Sequence, residues 1–542
     1  ITFLINNIMS HYSSVFSRVP IDLPNRSGFD MSHENLGTAT CGTLVPVLVD
    51  ELLPNDTISL GASFQVQLPP MASDFFGRVD YVLEAFFVPS RLLWGGWQSF
   101  MTHPTANPQY PANTPVQGRS KYMPKIQVAS ASQPDAGISA GSCTLSDYLG
   151  YRVRENSLDG DSVNVLPFVA YHRIWDDWYR DSRIQAPLFY RPDTSVTEIT
   201  IPNLPFQSGG VNAPQLFGGF FGNPNYIFAD GVSVGDLRQR NWAKDYFTTA
   251  STLPQAGNAA TLDFDVAGDA GQFSIAALRS ANSLQKWLER NNIAGYRYSD
   301  QIYAQYGIYP SDAIMDRCIY LGRHTQNVYT RSVFQTAKSE QNNPNNHFNT
   351  IGSKFGSSQA IGEGSLIDNI RVTEHGYLMV LASLVPHAYY STGVRRYLTR
   401  SVVGDIAFPL LSGIGDQAIM SRELFVGAPV DSIFGYTDRY AEYKYHDDEV
   451  HGLLRDGDTL QSYALQRSFD DTPDLSSDFL QIPVDYLDQI FAASSKASGF
   501  ACWYDIYFPY KKVSTLPEYS LPTLADMKHV HTEYMSRGGK RL

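Results

Sequence analysis

The chain has 542 residues, 43% hydrophobic, 13% aromatic and only 18% charged. That composition excludes disorder as the default and allows a large core, in two or three ordinary domains or one large all-β domain. A net charge of −13 excludes a protein that wraps nucleic acid over its whole surface, so any DNA contact must come from a local basic patch. Cys41, Cys143, Cys318 and Cys502 form no CxxC pair, which disfavours zinc and redox roles and fits a reducing cytoplasm. No apolar run approaches membrane-spanning length.

In chain order, residues 1–8 are apolar but lack the basic flank and cleavage site of a signal peptide, and Met9 reads as the true start. Residues 1–35 are expected to form an N-terminal extended arm, either a flexible terminus or a segment crossing a neighbouring subunit. From Thr57 to Leu68 and from Arg78 to Phe87 the side chains alternate in character, as in strands with one face in a core. The Pro69-Pro70 connection between them suggests an edge-to-edge pair in a β-sandwich. Loops are expected near 101–141, 192–235 and 257–273, where Gly, Pro, Asn and Ser concentrate. Arg119, Lys121 and Lys125 in the first of these read as solvated charges.

Helices are expected near 167–183 and 274–316, with a short one within 142–151. In the first, Phe168, Tyr171, Trp175 and Trp178 form an apolar stripe at helical spacing, better suited to a core than to a sugar platform. Asp176, Asp177 and Asp181 invite an acid/base reading, but adjacent residues on a helix point in different directions. In the second region Leu278, Ala281, Leu284 and Leu288 recur at helical steps. Gly295 ends that helix and Ser299-Asp300 caps the next; the amphipathic pair could equally bind a partner, but packing on the sheet is the preferred expectation. Strand-like runs follow at 328–336, 372–385, 406–410, 423–426 and 502–508, so one sandwich is built from both ends of the chain.

Two polar clusters could bind ligands. His446, Asp447, Asp448 and Glu449, with His451 beyond, could coordinate a divalent ion, although an exposed turn of solvated charge is the better reading. Within the 516–542 tail, Lys528, Arg537, Lys540 and Arg541 could neutralise phosphates or simply be solvated. There is no GxxxxGK[ST] loop, GxSxG elbow or HExxH helix, and no enzyme, cofactor or membrane association is expected.

Several short motifs, in order, resemble one family. They include Arg26 to Ser32, the Gly42-Thr43-Leu44-Val45-Pro46 turn, Asp50-Glu51, Pro54 to Thr57, Phe86 to Pro89, Arg91-Leu92, Trp94 and Trp97. Further along come Trp178 to Asp181, Asp245 to Thr248, and the run from Leu278 to Gly307. Together they are similar to the major capsid protein of gokushoviruses, small icosahedral single-stranded DNA phages of the Microviridae. The resemblance implies a mainly β fold: an eight-stranded antiparallel jelly roll with long loop and helical insertions, as a single domain over 36–515. It also implies a homo-oligomeric T=1 shell, assembled in the bacterial host cytoplasm, enclosing a circular single-stranded DNA genome in the virion. A small basic DNA-packaging protein, a DNA pilot protein, a scaffolding protein and a host surface receptor would be its partners. Two departures stand out. Asn55 occupies a position where the family usually has Gly, and the 257–273 insertion is short for one that builds a three-fold protrusion. The competing class is a carbohydrate-binding or carbohydrate-cleaving β-sandwich, because jelly rolls serve both.

Overall fold

The structure is a computed structural model. It describes residues 26–518 apart from 72–73, 95–96, 103–122, 128–142, 152–161, 189–231, 255–274, 296, 310, 313, 335–353 and 493–499. The strands in chain order are β1 (Ser27–Asp30), β2 (His33–Ala39), β3 (Val45–Leu52), β4 (Thr57–Gln67), β5 (Val79–Pro89), β6 (Lys125–Gln127), β7 (Ser162–Asn164) and β8 (Ile319–Asn327). They continue with β9 (Tyr329–Phe334), β10 (Lys354–Arg371), β11 (Gly376–Pro386), β12 (Gln417–Met420), β13 (Ile433–Thr437), β14 (Cys502–Phe508) and β15 (Tyr510–Ser514).

Two sheets face each other. One runs β2, β14, β4, β10, β9, with β15 also on β4 and β1 on β15; the other runs β3, β11, β5, β8. Every pairing within them is antiparallel. From β2 to β5 the chain alternates between the sheets, and β14 returns beside β2. This is the wiring of a jelly roll. β14 and β15 act as one strand broken at Pro509, whose carbonyl still accepts from the Gly61 N–H at 3.0 Å.

The two segments expected to pair edge to edge do not pair. β4 lies in the larger sheet and β5 in the smaller, so the Pro-rich connection between them crosses the sandwich. β4 keeps its alternation, with Ile58, Leu60, Ala62, Phe64 and Val66 inward. β5, expected to be half-buried, is buried on both faces. Its second face, with that of β11, is covered by α1 (Leu166–Ile174) through Phe86, Met379, Leu381, Phe168, Tyr171 and Ile174. Each such side chain contributes about 1.5–3 kcal/mol on full burial. Asp80 and Glu84 are buried there too, so they need partners.

The opening turns behave as their residues dictate. Gly42 has φ 68°, and a Cβ there would lie 2.6 Å from that of Ile482. Asn55 has φ 76°; its short side chain tolerates the left-handed region, so it does the work of a Gly. Asp50 and Lys512 then tie the two chain ends together. Lys512 Nζ donates to Asp50 Oδ2 at 3.0 Å, and the Tyr510 hydroxyl donates to the same oxygen at 2.6 Å.

Four expectations need correction. The described end of the supposed arm is not free, because β1 pairs with β15 and β2 with β14. The 406–410 run is a turn leading into a 3-10 helix, Pro409–Ile414, because Pro409 has no N–H for a ladder. The 423–426 run follows a 3-10 turn, Ser421–Glu423, whose Glu423 carboxylate accepts from the Met420 N–H at 3.0 Å. Finally, α2 (Ile275–Ala294) and α3 (Tyr298–Tyr306) pack on each other and leave Leu284, Trp287, Tyr303 and Tyr306 exposed. The expected loop near 101–141 contains the short β6, paired with β7; 103–122, 128–141, nearly all of 192–235, and 257–273 lie outside the described residues.

Candidate functional site

The His446 to Glu449 cluster borders a cavity of about 290 Å³, together with Arg395, Arg396, Arg400, Glu423 and Glu442. The carboxylates there face arginines. Arg395 pairs with Glu449, which also takes His451 at 3.1 Å, and Arg395 donates to the Asp447 carbonyl at 3.2 Å. Arg396 bridges Glu423 at 3.2 Å and Glu442 at 3.8 Å, and Arg400 reaches Glu442 at 3.2 Å. Among the described residues no group of three His, Cys, Asp or Glu is placed to hold a metal ion. Burial first, then the neighbouring Asp245, pushes Asp447 up to about 7 against the pull of Arg395. The cluster is a charge network locking the 390s, 420s and 440s together.

The tempting helical carboxylates are also internal. α1 runs into a π-turn, Trp175–Tyr179, closed by the Arg180 N–H donating to the Trp175 carbonyl at 3.0 Å. Asp177 pairs with Arg173 at 3.0 Å, and Asp176 pairs with Arg180 at 2.7 Å. Asp181 accepts a bidentate fork from Arg183, which holds its carboxyl below the ordinary range against the opposing effect of burial. His172 is wholly buried. Its Nδ1 accepts from Arg238 Nε at 3.0 Å, and its Nε2–H donates to the Val234 carbonyl at 3.0 Å. Burial, and then Arg238, push its imidazole well below the usual range.

Glu84, on the covered face of β5, accepts from Arg240 at 2.7 Å and from the Tyr179 hydroxyl at 2.6 Å. Neither partner was visible from the alternation of β5, since Arg240 lies 156 positions away. A cleft of about 810 Å³ opens alongside, with Arg78, Arg183, Lys244, Arg297 and Arg323 among its lining residues. The four tail cations, Lys528, Arg537, Lys540 and Arg541, lie outside the described residues.

What these sites can do chemically is limited, because their charges are spent on internal pairs. What the described surface offers instead is ordered apolar area: the exposed faces of α2 and α3, and a run from Tyr397 to Ile414 in which Leu410 is 92% exposed. Apolar patches of this kind, outside the core of a jelly-roll sandwich, point to the class of structural and interaction proteins more than to an enzyme site.

The comparisons with known proteins agree with that class. The model of the family described as Capsid protein (F protein) matches residues 17–270 and 203–524, and the chain belongs to that family. It is similar to capsid protein VP1 of Chlamydia phage 1, at 26% identity over 94% of this chain and 97% of that protein. It is also similar to capsid protein VP1 of Bdellovibrio phage phiMH2K, at 26% over 87% and 90%. The third relative, capsid protein VP1 of Spiroplasma virus 4, is 24% identical over 92% and 95%. The gokushovirus resemblance read from the motifs is therefore borne out, and the carbohydrate-active alternative falls. The protein is a structural component of the virion and not an enzyme, and its family assembles into multimeric shells.

Proposed function

We propose that the chain is a major capsid protein that closes into a T=1 icosahedral shell around a circular single-stranded DNA genome. The observation that carries this reading is the family match across the jelly roll from residue 17 to 524. Closure follows from repeated heterologous and two-fold contacts whose rotations close on themselves. The acidic subunit repels DNA overall. Genome contact then falls to local arginines and lysines, to aromatics that stack on bases, and to the small basic packaging protein. A scaffolding protein guides assembly in the bacterial cytoplasm, a pilot protein joins the virion, and exterior loops bind a host surface receptor.

The test is sedimentation and electron microscopy of the purified full chain, alone, with single-stranded DNA, and after co-expression with the scaffolding protein. Uniform closed shells are expected. A stable monomer under all three conditions would overturn the reading. Exchanging the 101–141 or 192–235 loop with that of a relative tests receptor binding separately; unchanged adsorption to host cells counts against it.

A further inference from the structure

We infer that the segment 397–414 is a docking element for a second copy of this chain, resting on the shell reading above and naming one of its contact surfaces. The inference begins with composition. From Ser401 to Gly415 the segment reads SVVGDIAFPLLSGIG and carries a single charged residue, Asp405. That carboxylate is exposed and held by its own turn, accepting from the Ser401 N–H at 2.8 Å and the Val402 N–H at 3.0 Å. Apart from that one charge the stretch is uncharged, and Leu398, Val402, Val403, Ile406, Leu410 and Ile414 are all more than half exposed.

The exposure is built in. Beneath the segment, Arg396 and Arg400 are held by Glu423 and Glu442, whose side chains are 7% and 14% accessible. Arg396 also donates to the Ala418 carbonyl at 2.7 Å. The Arg400 guanidinium lies over the Tyr443 ring at 4.5 Å, and the Tyr443 hydroxyl accepts from the Ala407 N–H at 3.3 Å. These ion pairs, with carboxylates that are largely buried, fix the segment from below and leave its apolar side chains on the outer side.

The occupant follows from size and charge. The exposed apolar side chains of the segment present on the order of 900 Å², close to the area that one partner contributes to a standard protein interface. Between Ser401 and Gly415 there is no Lys or Arg to meet a phosphate, so this stretch does not suit a nucleic acid backbone. An apolar face of interface size with one exposed charge, on a chain whose family is a capsid protein family, fits a neighbouring copy.

Two experiments test it. In the first, Leu410→Asp and Val403→Asp are introduced into the full chain co-expressed with its scaffolding protein, with Leu410→Met as the conservative control. The expected result is at least a tenfold rise in the protein concentration needed for shells. The unassembled subunit should melt as wild type does, and Leu410→Met should assemble normally. In the second, hydroxyl-radical footprinting of unaltered protein compares free subunits with shells, with severalfold protection of Leu398 and Leu410 expected on assembly. This readout stands even if an Asp variant fails to fold. Wild-type assembly by both Asp variants, or equal labelling of the two leucines in subunit and shell, would overturn the docking element and leave the shell reading intact. A wild-type chain that never assembles would overturn both.

Discussion

Glu84 is the residue at which the stability of this sandwich is most sharply tested. It sits in β5 with a side chain 10% accessible, and its main partner Arg240 is 15% accessible. Arg240 donates to it at 2.7 Å and the Tyr179 hydroxyl at 2.6 Å, while Arg323 lies 3.7 Å away, too far to substitute fully. Glu84→Leu leaves the Arg240 guanidinium buried without a carboxylate. Breaking a buried pair from one side costs about 3–5 kcal/mol, whereas replacing both partners by apolar groups of similar volume is close to neutral. The single variant should therefore lower the melting temperature of the unassembled subunit by roughly 3–5 °C for a chain this large. The double variant Glu84→Leu/Arg240→Met should recover to within about 1 kcal/mol of wild type. Differential scanning calorimetry on subunits kept below their assembly concentration measures both. If the double variant melts at or below the single one, stranded charge is not the cause, and the account of the covered β5 face fails.

Other outcomes follow from the same structure. Gly322→Ala places a Cβ 2.0 Å from the Leu366 carbonyl oxygen, so β8 must separate from β10; the loss is about 3 kcal/mol or more, read as a lowered melting temperature or loss of soluble protein. Asp447 has a folded-state pKa raised to about 7, so its stabilising contribution is fully present below the ordinary carboxylate range and is lost as pH rises toward 7. Asp447→Asn should accordingly match wild type near pH 4 and out-melt it at pH 8. His172 is displaced in the opposite direction for a base, with its folded pKa depressed. It should withdraw stability as pH falls below about 6.5, its unfolded value, and His172→Gln should flatten that part of the melting profile.

How much of this could be read from residues depends on whether the cause was local. β4 and β14 were legible because each has one face in the core and one outside, so a two-residue period survives. The helices at 166–174 and 275–294 were legible from apolar spacing, and Gly295 marked an end because its φ is 114°. β8 was missed, since Ile319–Asn327 alternates poorly and is held by its register with β5. β10 was missed for a related reason: its three glycines and two register shifts against β4 break the period. The 406–410 run was misread because apolar content was taken for burial. The same error explains α2 and α3, whose stripes were assigned to the sheet.

Both misreadings point the same way. A rule that apolar residues lie inside holds for a chain that folds alone, because exposure leaves the hydrophobic contribution unrealised. A shell subunit completes its burial only on assembly, so part of its apolar sequence is patterned against surfaces belonging to other copies. The polar sites show the complement. His446 to Glu449 and Asp176 to Asp181 invited ligand or catalytic readings that ranked second, and each has its counter-charge: distant in sequence for Glu449, at i,i+4 spacing for Asp176 and Asp177. Arg395, 54 positions from Glu449, and Arg180, brought within 2.7 Å of Asp176, turn them into internal clamps. Among the described residues these ion pairs hold the loops in place beneath the apolar surface proposed above to meet a neighbouring copy.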